Sequence, residues 1–223
     1  MNEKLLFSEN LDEYLYFFAS RLTAASIRFE SDVDSAEYAN ALIFASNLKA
    51  IDYLFKINGG GTLRPDVIQE VARLVDFETN DNGFRRTNIE VVGSMVKRSE
   101  AKDIYPHIYN LLDNYYKIWP GMNDPYLREA YFHIVFLHIH PFEDGNGRVA
   151  RILTAHNLYK EGQTPFVISP QHKEHYIKLI EETNYEGMAE LFRQLAKEED
   201  RVITSLYEKN LDNKNINQKV IKS

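Results

Sequence analysis

Apolar residues recur at helical spacing along most of the chain. Within residues 125–139, Leu127, Ala130 and Ile134 fall on one face of a helix, which is the pattern of an element that buries one side. The same spacing, together with helix start and stop signals, predicts helices over residues 9–24, 36–56, 65–76, 103–118, 125–139, 148–161, 171–182 and 187–207. The predicted fold class is therefore all-α, a helical bundle.

One segment interrupts this helical pattern, at residues 79–98 (TNDNGFRRTNIEVVGSMVKR). Asn82 and Gly83 form a turn signal, and the β-branched residues Ile89 and Val91 favour extended backbone. We therefore predict a small β-hairpin beside the helical bundle. An ordinary surface hairpin is the alternative to one with a role in binding.

The segment HPFEDGNGRVAR, residues 140–151, follows one predicted helix and leads into another. Pro141 cannot extend the first helix, because the residue before a proline is pushed out of the right-handed helical region, so His140 lies at the helix end. Gly145 and Gly147 allow the loop to bring successive N–H groups close to an anion, and the N-terminus of the next helix adds its dipole. The segment therefore has the backbone features of a phosphate-binding loop.

Side chains of the same segment supply the chemistry for a reaction on phosphate. Arg148 and Arg151 are three residues apart on one helix face and can bind phosphate oxygens. Asp144 is an oxygen ligand suited to Mg²⁺, and neutral His140 can accept a proton from a hydroxyl near neutral pH. Each residue alone would fit a solvated glycine turn with surface arginines, but their combination favours a polyphosphate site.

This segment matches, without departure, the signature HPFx(D/E)GNGRxxR of Fic domains, and the chain resembles that family. Fic enzymes transfer AMP from ATP to protein hydroxyls, so the resemblance implies ATP as substrate, Mg²⁺ as cofactor and a protein target. It implies that His140 deprotonates the target hydroxyl, that Asp144 holds Mg²⁺ and that Phe142 packs into the core. The phosphate-binding residues that it implies are Gly145, Asn146, Gly147, Arg148 and Arg151. A subgroup that transfers phosphate has Lys in place of Gly147, so we expect AMP transfer.

Two further segments resemble the family outside its signature. Residues 83–85, Gly-Phe-Arg, match the flap, a hairpin that borders the active site of Fic domains and holds the target in extended form. Ser26 and Glu30, four residues apart on one helix face, resemble the (S/T)xxxE(G/N) inhibitory motif of the class with an N-terminal inhibitory helix. Ser31 departs from the usual Gly or Asn. If Glu30 pairs with Arg151, it occupies the guanidinium that the γ-phosphate needs.

Tyr176 and two histidines have structural interpretations beside functional ones. Tyr176 lies where the family often has a tyrosine on the adenine side, with Asn184 nearby, but core packing fits both residues equally well. The spacing of His133 and His138 from His140 does not give a compact helical ligand set. We therefore expect packed or surface roles for His133 and His138 rather than a metal cluster.

Composition is that of a soluble enzyme with one compact domain. The 223 residues, 44% of them hydrophobic, divide into N-terminal helices with the inhibitory motif (1–60), a catalytic core (61–208) and a flexible tail (209–223). The lack of cysteine excludes disulfides and thiolate catalysis, and the net charge of −7 argues against nucleic acid as a partner. No apolar run reaches the length of a membrane span and no signal pattern begins the chain, so we expect a cytoplasmic protein that does not bind membranes.

The sequence leaves three functions open. The first is a protein adenylyltransferase that modifies a Tyr, Thr or Ser hydroxyl of a target protein, and also itself, and that is inhibited when Glu30 pairs with Arg151. The second removes AMP at the same site, with Glu30 orienting a water molecule. The third is a nucleotide-sensing interaction module without catalysis, which the complete signature disfavours. The sequence pattern does not encode the target, the hydroxyl type or whether the chain forms a homodimer.

Overall fold

The computed structural model describes residues 11–30, 37–57 and 61–221, and its regular secondary structure is helical. This confirms the predicted all-α class for the described residues. The helices are α1 (Leu11–Glu30), α2 (Glu37–Asp52), α3 (Pro65–Val75), α4 (Phe77–Asn80), α5 (Ile104–Asp113), α6 (Pro125–Ile139), α7 (Asn146–Lys160), α8 (Lys173–Glu181) and α9 (Tyr185–Ile221). Single π-helical turns extend α2 and α5, at Tyr53–Ile57 and Asn114–Ile118.

Helix α6 lies at the centre of the fold and packs against α5, α7 and α9. Its start is fixed by Asp124, whose Oδ1 accepts hydrogen bonds from the backbone N–H groups of Tyr126 (3.1 Å) and Leu127 (3.2 Å). Phe132 and Ile134 are fully buried. Packing on several sides therefore holds α6 in place and fixes the position of the residue that follows it.

Helix α7 begins directly after the loop that follows α6 and is buried along most of its length. Val149 and Leu153 are fully buried, and the helix contacts α3 as well as α6. The α6–α7 loop is thus supported at both ends by helices of the core. Such support suits a site whose chemistry depends on fixed geometry.

An ion pair between a partly exposed arginine and a buried carboxylate anchors α1 to α9. Arg21 Nη1 lies 2.8 and 2.7 Å from the two carboxylate oxygens of Glu199, which is 1% exposed, and the Tyr14 hydroxyl donates to the same carboxylate at 3.4 Å. Burial raises the pKa of Glu199, while the cation of Arg21 acts against that rise. Phe18 and Leu22 of α1 are buried as well. The first part of α1 is therefore integral to the folded body.

The predicted β-hairpin at residues 79–98 is wrong, because this segment contains turns and irregular backbone but no strand. Its internal backbone hydrogen bonds close only local turns, from Gly83 N to Asn80 O and from Ser94 N to Val91 O, and other groups bond to distant parts of the molecule. Arg85 N donates to Pro141 O (2.9 Å), and Met95 N donates to the Glu181 carboxylate (2.8 Å). These tertiary contacts override the local preference for extended structure.

Helix α9 continues past residue 207, where the apolar spacing predicted its end, so the backbone of the predicted tail is helical as far as Ile221. Among the described residues, no helix combines the length and apolarity needed to cross a bilayer.

Candidate active site

His140 ends α6 in the left-handed conformation, with φ +51°, which is uncommon for a residue other than glycine. Arg85 stabilises this backbone. Its Nε donates to His140 O (2.7 Å), its Nη2 donates to Ile139 O (3.4 Å), and its own backbone N–H donates to Pro141 O (2.9 Å). The turn that aims the histidine therefore depends on a buried guanidinium from the segment that was predicted to be a hairpin.

The imidazole of His140 has the protonation state of a general base. Its Nδ1 lies 3.3 Å from Leu137 O, and since a carbonyl oxygen only accepts, Nδ1 carries the proton and Nε2 has the free lone pair. Burial lowers the pKa of His140 to about 4, and the nearby cations of Arg98 and Arg85 act in the same direction. The Asp144 carboxylate opposes this shift of the pKa only in part. The ring is therefore neutral at physiological pH.

The loop after His140 is closed by the side chain of Asn146. Asn146 Oδ1 accepts from Phe142 N (3.0 Å), and Asn146 Nδ2 donates to Phe142 O (2.9 Å). Phe142 is fully buried, as predicted. These two bonds to the backbone of Phe142 show that the side chain of Asn146 shapes the loop, and its contact with phosphate stays a prediction.

Gly145 makes the sharp turn into α7. Its φ is +75°, and a Cβ there would lie 3.1 Å from Val75 Cγ1 and 3.4 Å from Arg148 Nη2, so both conformation and space require glycine. The N–H groups of the following first turn have no carbonyl partner within the helix. With the helix dipole, they give the start of α7 the features of an anion site, and the binding of phosphate there stays a prediction.

Asp144 faces solvent beside this helix end, with 63% of its side chain exposed. Its Oδ1 accepts from Gly145 N (2.6 Å), and its backbone oxygen accepts from Asn80 Nδ2 (3.0 Å), which holds the residue in place. The described residues contain no group of three or more His, Cys, Asp or Glu that could hold a metal. A single accessible carboxylate beside an anion site fits Mg²⁺, which takes one or two carboxylates and completes its shell with phosphate oxygens and water.

The two predicted phosphate-binding arginines are buried at the same end of α7, each 4% exposed. Arg148 Nη2 lies 3.4 Å from an Asp144 carboxylate oxygen and 3.8 Å from one of Asp76. Arg151 lies over Gly147, since a Cβ on that glycine would be 3.1 Å from Arg151 Nη1. The structure thus brings the base, the carboxylate and both arginines to one loop and one helix end.

Arg151 also contacts α1, because its Nε donates to Ser26 Oγ at 3.0 Å. Ser26 is 3% exposed, so this contact between residues distant in sequence is sealed from solvent. Glu30 is the last residue of α1, and its side chain lies outside the described part of the chain. The first residue of the predicted inhibitory motif therefore meets the predicted γ-phosphate ligand, while the predicted pairing of Glu30 stays a prediction.

Tyr176 is buried within a polar network of the core. Its hydroxyl lies 2.7 Å from His133 Nε2, and His133 Nδ1 lies 2.9 Å from Thr154 Oγ1. Burial lowers the pKa of His133 to about 3, with the charge of Arg151 as the next cause. The packed role expected for His133 is confirmed. For Tyr176, at 3% exposure, the geometry agrees with the packing alternative.

Part of the chain is similar in sequence to a known protein family. Residues 62–158 match the Fic/DOC family. A protein adenylyltransferase Fic from Aedes aegypti is 28% identical over 125 residues, which cover 54% of this chain and 24% of that protein. The chain thus spans about a quarter of the length of the first curated relatives that it matches.

Solved structures share the fold. A Fic domain containing signalling protein from Bacteroides thetaiotaomicron superposes with a TM-score of 0.73 at 17% identity, covering 86% of this chain and 88% of that one. IbpAFic2 covalently tethered to Cdc42 gives a TM-score of 0.60 at 16% identity, covering 82% of this chain and 63% of that one.

Proposed function

We propose, on the premise that residues 62–158 match the Fic/DOC family, that the chain transfers AMP from ATP to a Tyr, Thr or Ser hydroxyl of a target protein. The observation that carries the proposal is the juxtaposition of a neutral His140 with the anion-binding end of α7. A base at the end of one core helix and a phosphate site at the start of the next are what attack on a nucleotide phosphate requires. Curated relatives named protein adenylyltransferase support the same reaction.

The reaction is a displacement at the α-phosphorus of ATP. The target hydroxyl oxygen forms a bond to that phosphorus as His140 Nε2 takes the hydroxyl proton, and the bond to the α–β bridging oxygen breaks to release pyrophosphate. Arg148, Arg151 and the first-turn N–H groups of α7 stabilise the negative charge of the leaving group. The products are an AMP-modified protein and pyrophosphate.

Asp144 is the residue that would hold Mg²⁺, which neutralises phosphate charge when it is bound. Its exposed carboxylate lies beside Arg148, so the metal and the guanidinium would act on the same phosphates.

Autoinhibition by α1 is the regulatory part of the proposal. The Ser26–Arg151 hydrogen bond brings α1 to the guanidinium that the γ-phosphate needs. A carboxylate at Glu30, one turn further along α1, would compete with that phosphate for Arg151 and repel it. The protein with an intact α1 is therefore expected to have low activity.

The test uses ATP labelled on the α-phosphate, with mass spectrometry of the protein itself and of a cell extract. We expect Glu30→Gly to increase the attachment of AMP at least tenfold and His140→Ala in the same background to abolish it. Glu30→Gln is the matched control, because it removes the charge without adding a flexible residue to α1. Unchanged activity in both Glu30 variants would contradict the autoinhibition alone, whereas absence of AMP transfer from all variants would contradict the proposed reaction. Label from the γ-phosphate would indicate phosphate transfer instead.

Removal of AMP is the second candidate, since the Ser26–Arg151 contact brings the end of α1 to the same site that this reaction would use. An AMP-modified target incubated with the wild-type protein and with Glu30→Gly distinguishes the two functions. Loss of AMP removal in the variant would favour this second function, and removal by neither protein would exclude it for that target.

A further inference from the structure

Arg98 lies outside the signature segment, yet its guanidinium is buried beside the base. Its side chain is 5% exposed, and Nη1 donates to Leu137 O at 3.4 Å. The same oxygen accepts from His140 Nδ1 at 3.3 Å. A buried cation and the proposed base therefore share one hydrogen-bond acceptor.

Arg98 is held in this position from α8. Its Nη2 donates to Ser94 Oγ at 2.7 Å, and Ser94 Oγ in turn donates to a carboxylate oxygen of Glu181 at 2.6 Å. The other Glu181 oxygen accepts from Met95 N at 2.8 Å, and Arg98 Nη2 lies 3.7 Å from the carboxylate. Glu181 thus both fixes the segment around Ser94 and compensates the buried charge.

We propose that Arg98 is a positioning residue for His140: its buried cation, bonded to the same Leu137 carbonyl as Nδ1, disfavours the protonated imidazole and so extends to lower pH the range in which Nε2 is free to accept the proton of the target hydroxyl. The assignment of this role to His140 rests on the proposed function. Glu181 sets the strength of the effect, because its anion partly neutralises the cation. Arg98 and Glu181 together then tune a base that neither of them contacts directly.

The size of the effect follows from the geometry. Arg98 Nη1 and His140 Nδ1 lie about 7 Å apart or less, because both contact Leu137 O. At an effective dielectric constant of about 20, a unit cation at that distance lowers the pKa of an imidazole by roughly 1–2 units. The other charges that act on His140 are the cation of Arg85 and the anion of Asp144. Arg85 is less suited to a test, because it also fixes the left-handed turn through His140 O.

The test measures the protonation of His140 directly, by NMR titration of the histidine ring resonances without ATP, with His140→Ala used for assignment. In Arg98→Met we expect the pKa of His140 to rise by roughly 1–2 units. The acid limb of the AMP-transfer rate should move to higher pH by the same amount. Arg98→Lys keeps a cation and should shift the pKa by less than Arg98→Met does.

Two controls separate charge from geometry. Glu181→Gln leaves Arg98 without its compensating anion, so it should lower the pKa of His140 or leave the acid limb at or below its wild-type position. Ser94→Ala breaks the hydrogen-bond link without changing any charge and should shift the pKa little. An upward shift in Glu181→Gln, or a shift in Ser94→Ala as large as in Arg98→Met, would overturn the proposal.

The two proposals fail in different ways. If the pKa of His140 responds as expected but no variant transfers AMP, the positioning role stands and the proposed function is wrong. If AMP is transferred while the pKa of His140 is the same in Arg98→Met and wild type, Arg98 does not position the base.

Discussion

Replacing Gly147 by alanine should reduce activity with little change in stability. This glycine borders the site, but its backbone conformation is one that alanine also adopts. Gly147 lies in the first turn of α7, and its φ is outside the left-handed region. Alanine is favoured over glycine in a helix by up to about 1 kcal/mol. The new Cβ would lie 3.1 Å from Arg151 Nη1, so the buried guanidinium must shift by a few tenths of an ångström. We therefore expect the free energy of unfolding to change by less than about 1 kcal/mol in either direction.

Activity should respond far more strongly, because charge-assisted hydrogen bonds to phosphate depend on position. A loss of about 1.4 kcal/mol of transition-state stabilisation corresponds to a tenfold fall in rate, and we expect at least that from Gly147→Ala in the Glu30→Gly background. Transfer of α-labelled AMP measures the rate, calorimetry measures ATP affinity, and urea denaturation measures stability.

Gly145→Ala is the matched control for this experiment. It forces a left-handed alanine, which costs about 1–2 kcal/mol, and places its Cβ 3.1 Å from Val75 Cγ1, so it should lose stability as well as activity. AMP transfer by Gly147→Ala at the rate of its parent would refute the role of Arg151 at the phosphate site. If Gly147→Ala lost as much stability as Gly145→Ala, the side chain of Arg151 would not be able to move away from the new Cβ.

Two further predictions concern stability. Arg21→Met should lower the free energy of unfolding by roughly 2–4 kcal/mol, because buried Glu199 loses its cation while Arg21 itself is partly exposed; chemical denaturation should show a smaller loss in Glu199→Gln, and an equal loss would contradict the charge argument. Acid should also destabilise the fold, because burial lowers the pKa of three histidines to about 3 or 4, namely His133, His140 and His156. The stability that these neutral histidines contribute is fully present above the ordinary histidine pKa of about 6.5 and is lost between that pH and their lowered pKa of about 3 or 4, by about 1.4 kcal/mol per pH unit for each histidine. Buried Glu129, whose pKa is raised to about 8, acts in the opposite direction between about pH 8 and pH 4.5. In His133→Gln, unfolding in acid should take up about one proton fewer, so the slope of the unfolding free energy against pH should decrease by about 1.4 kcal/mol per pH unit. An unchanged slope would show that His133 does not contribute to the loss of stability in acid.

The sequence predicted the helical body and the local geometry of the signature segment. Pro141 places His140 at the end of a helix, and Gly145 turns the chain into the next, because both effects depend on backbone conformation within a few residues. The burial of Phe142 was predicted as well, through the family resemblance. Such features are encoded locally and can be read from a single segment.

The remaining features depend on contacts between distant residues. Arg85 and Arg98 bond to carbonyls near the end of α6 from a segment that is separate in sequence, and no spacing rule connects them. The hairpin prediction at residues 79–98 was wrong for the same reason, since these contacts outweigh the β-propensity of its residues. The two bonds from the amide of Asn146 to the backbone of Phe142 were likewise not predicted, and the phosphate contact of Asn146 that the family resemblance implies stays a prediction.

The Arg21–Glu199 ion pair between α1 and α9 limits the free energy that a regulatory ligand must supply. Arg21 fixes the helix five residues before Ser26, so Arg151 could be released by unwinding residues 26–30 while the rest of α1 stays in the core. Breaking one charged hydrogen bond and one helical turn costs on the order of 2–3 kcal/mol. A ligand that prefers the unwound form contributes about 2.7 kcal/mol when it is present at a hundred times its dissociation constant. Under the proposed autoinhibition, a trigger of modest affinity, such as an abundant metabolite or a weakly bound protein, would therefore be sufficient to release Arg151.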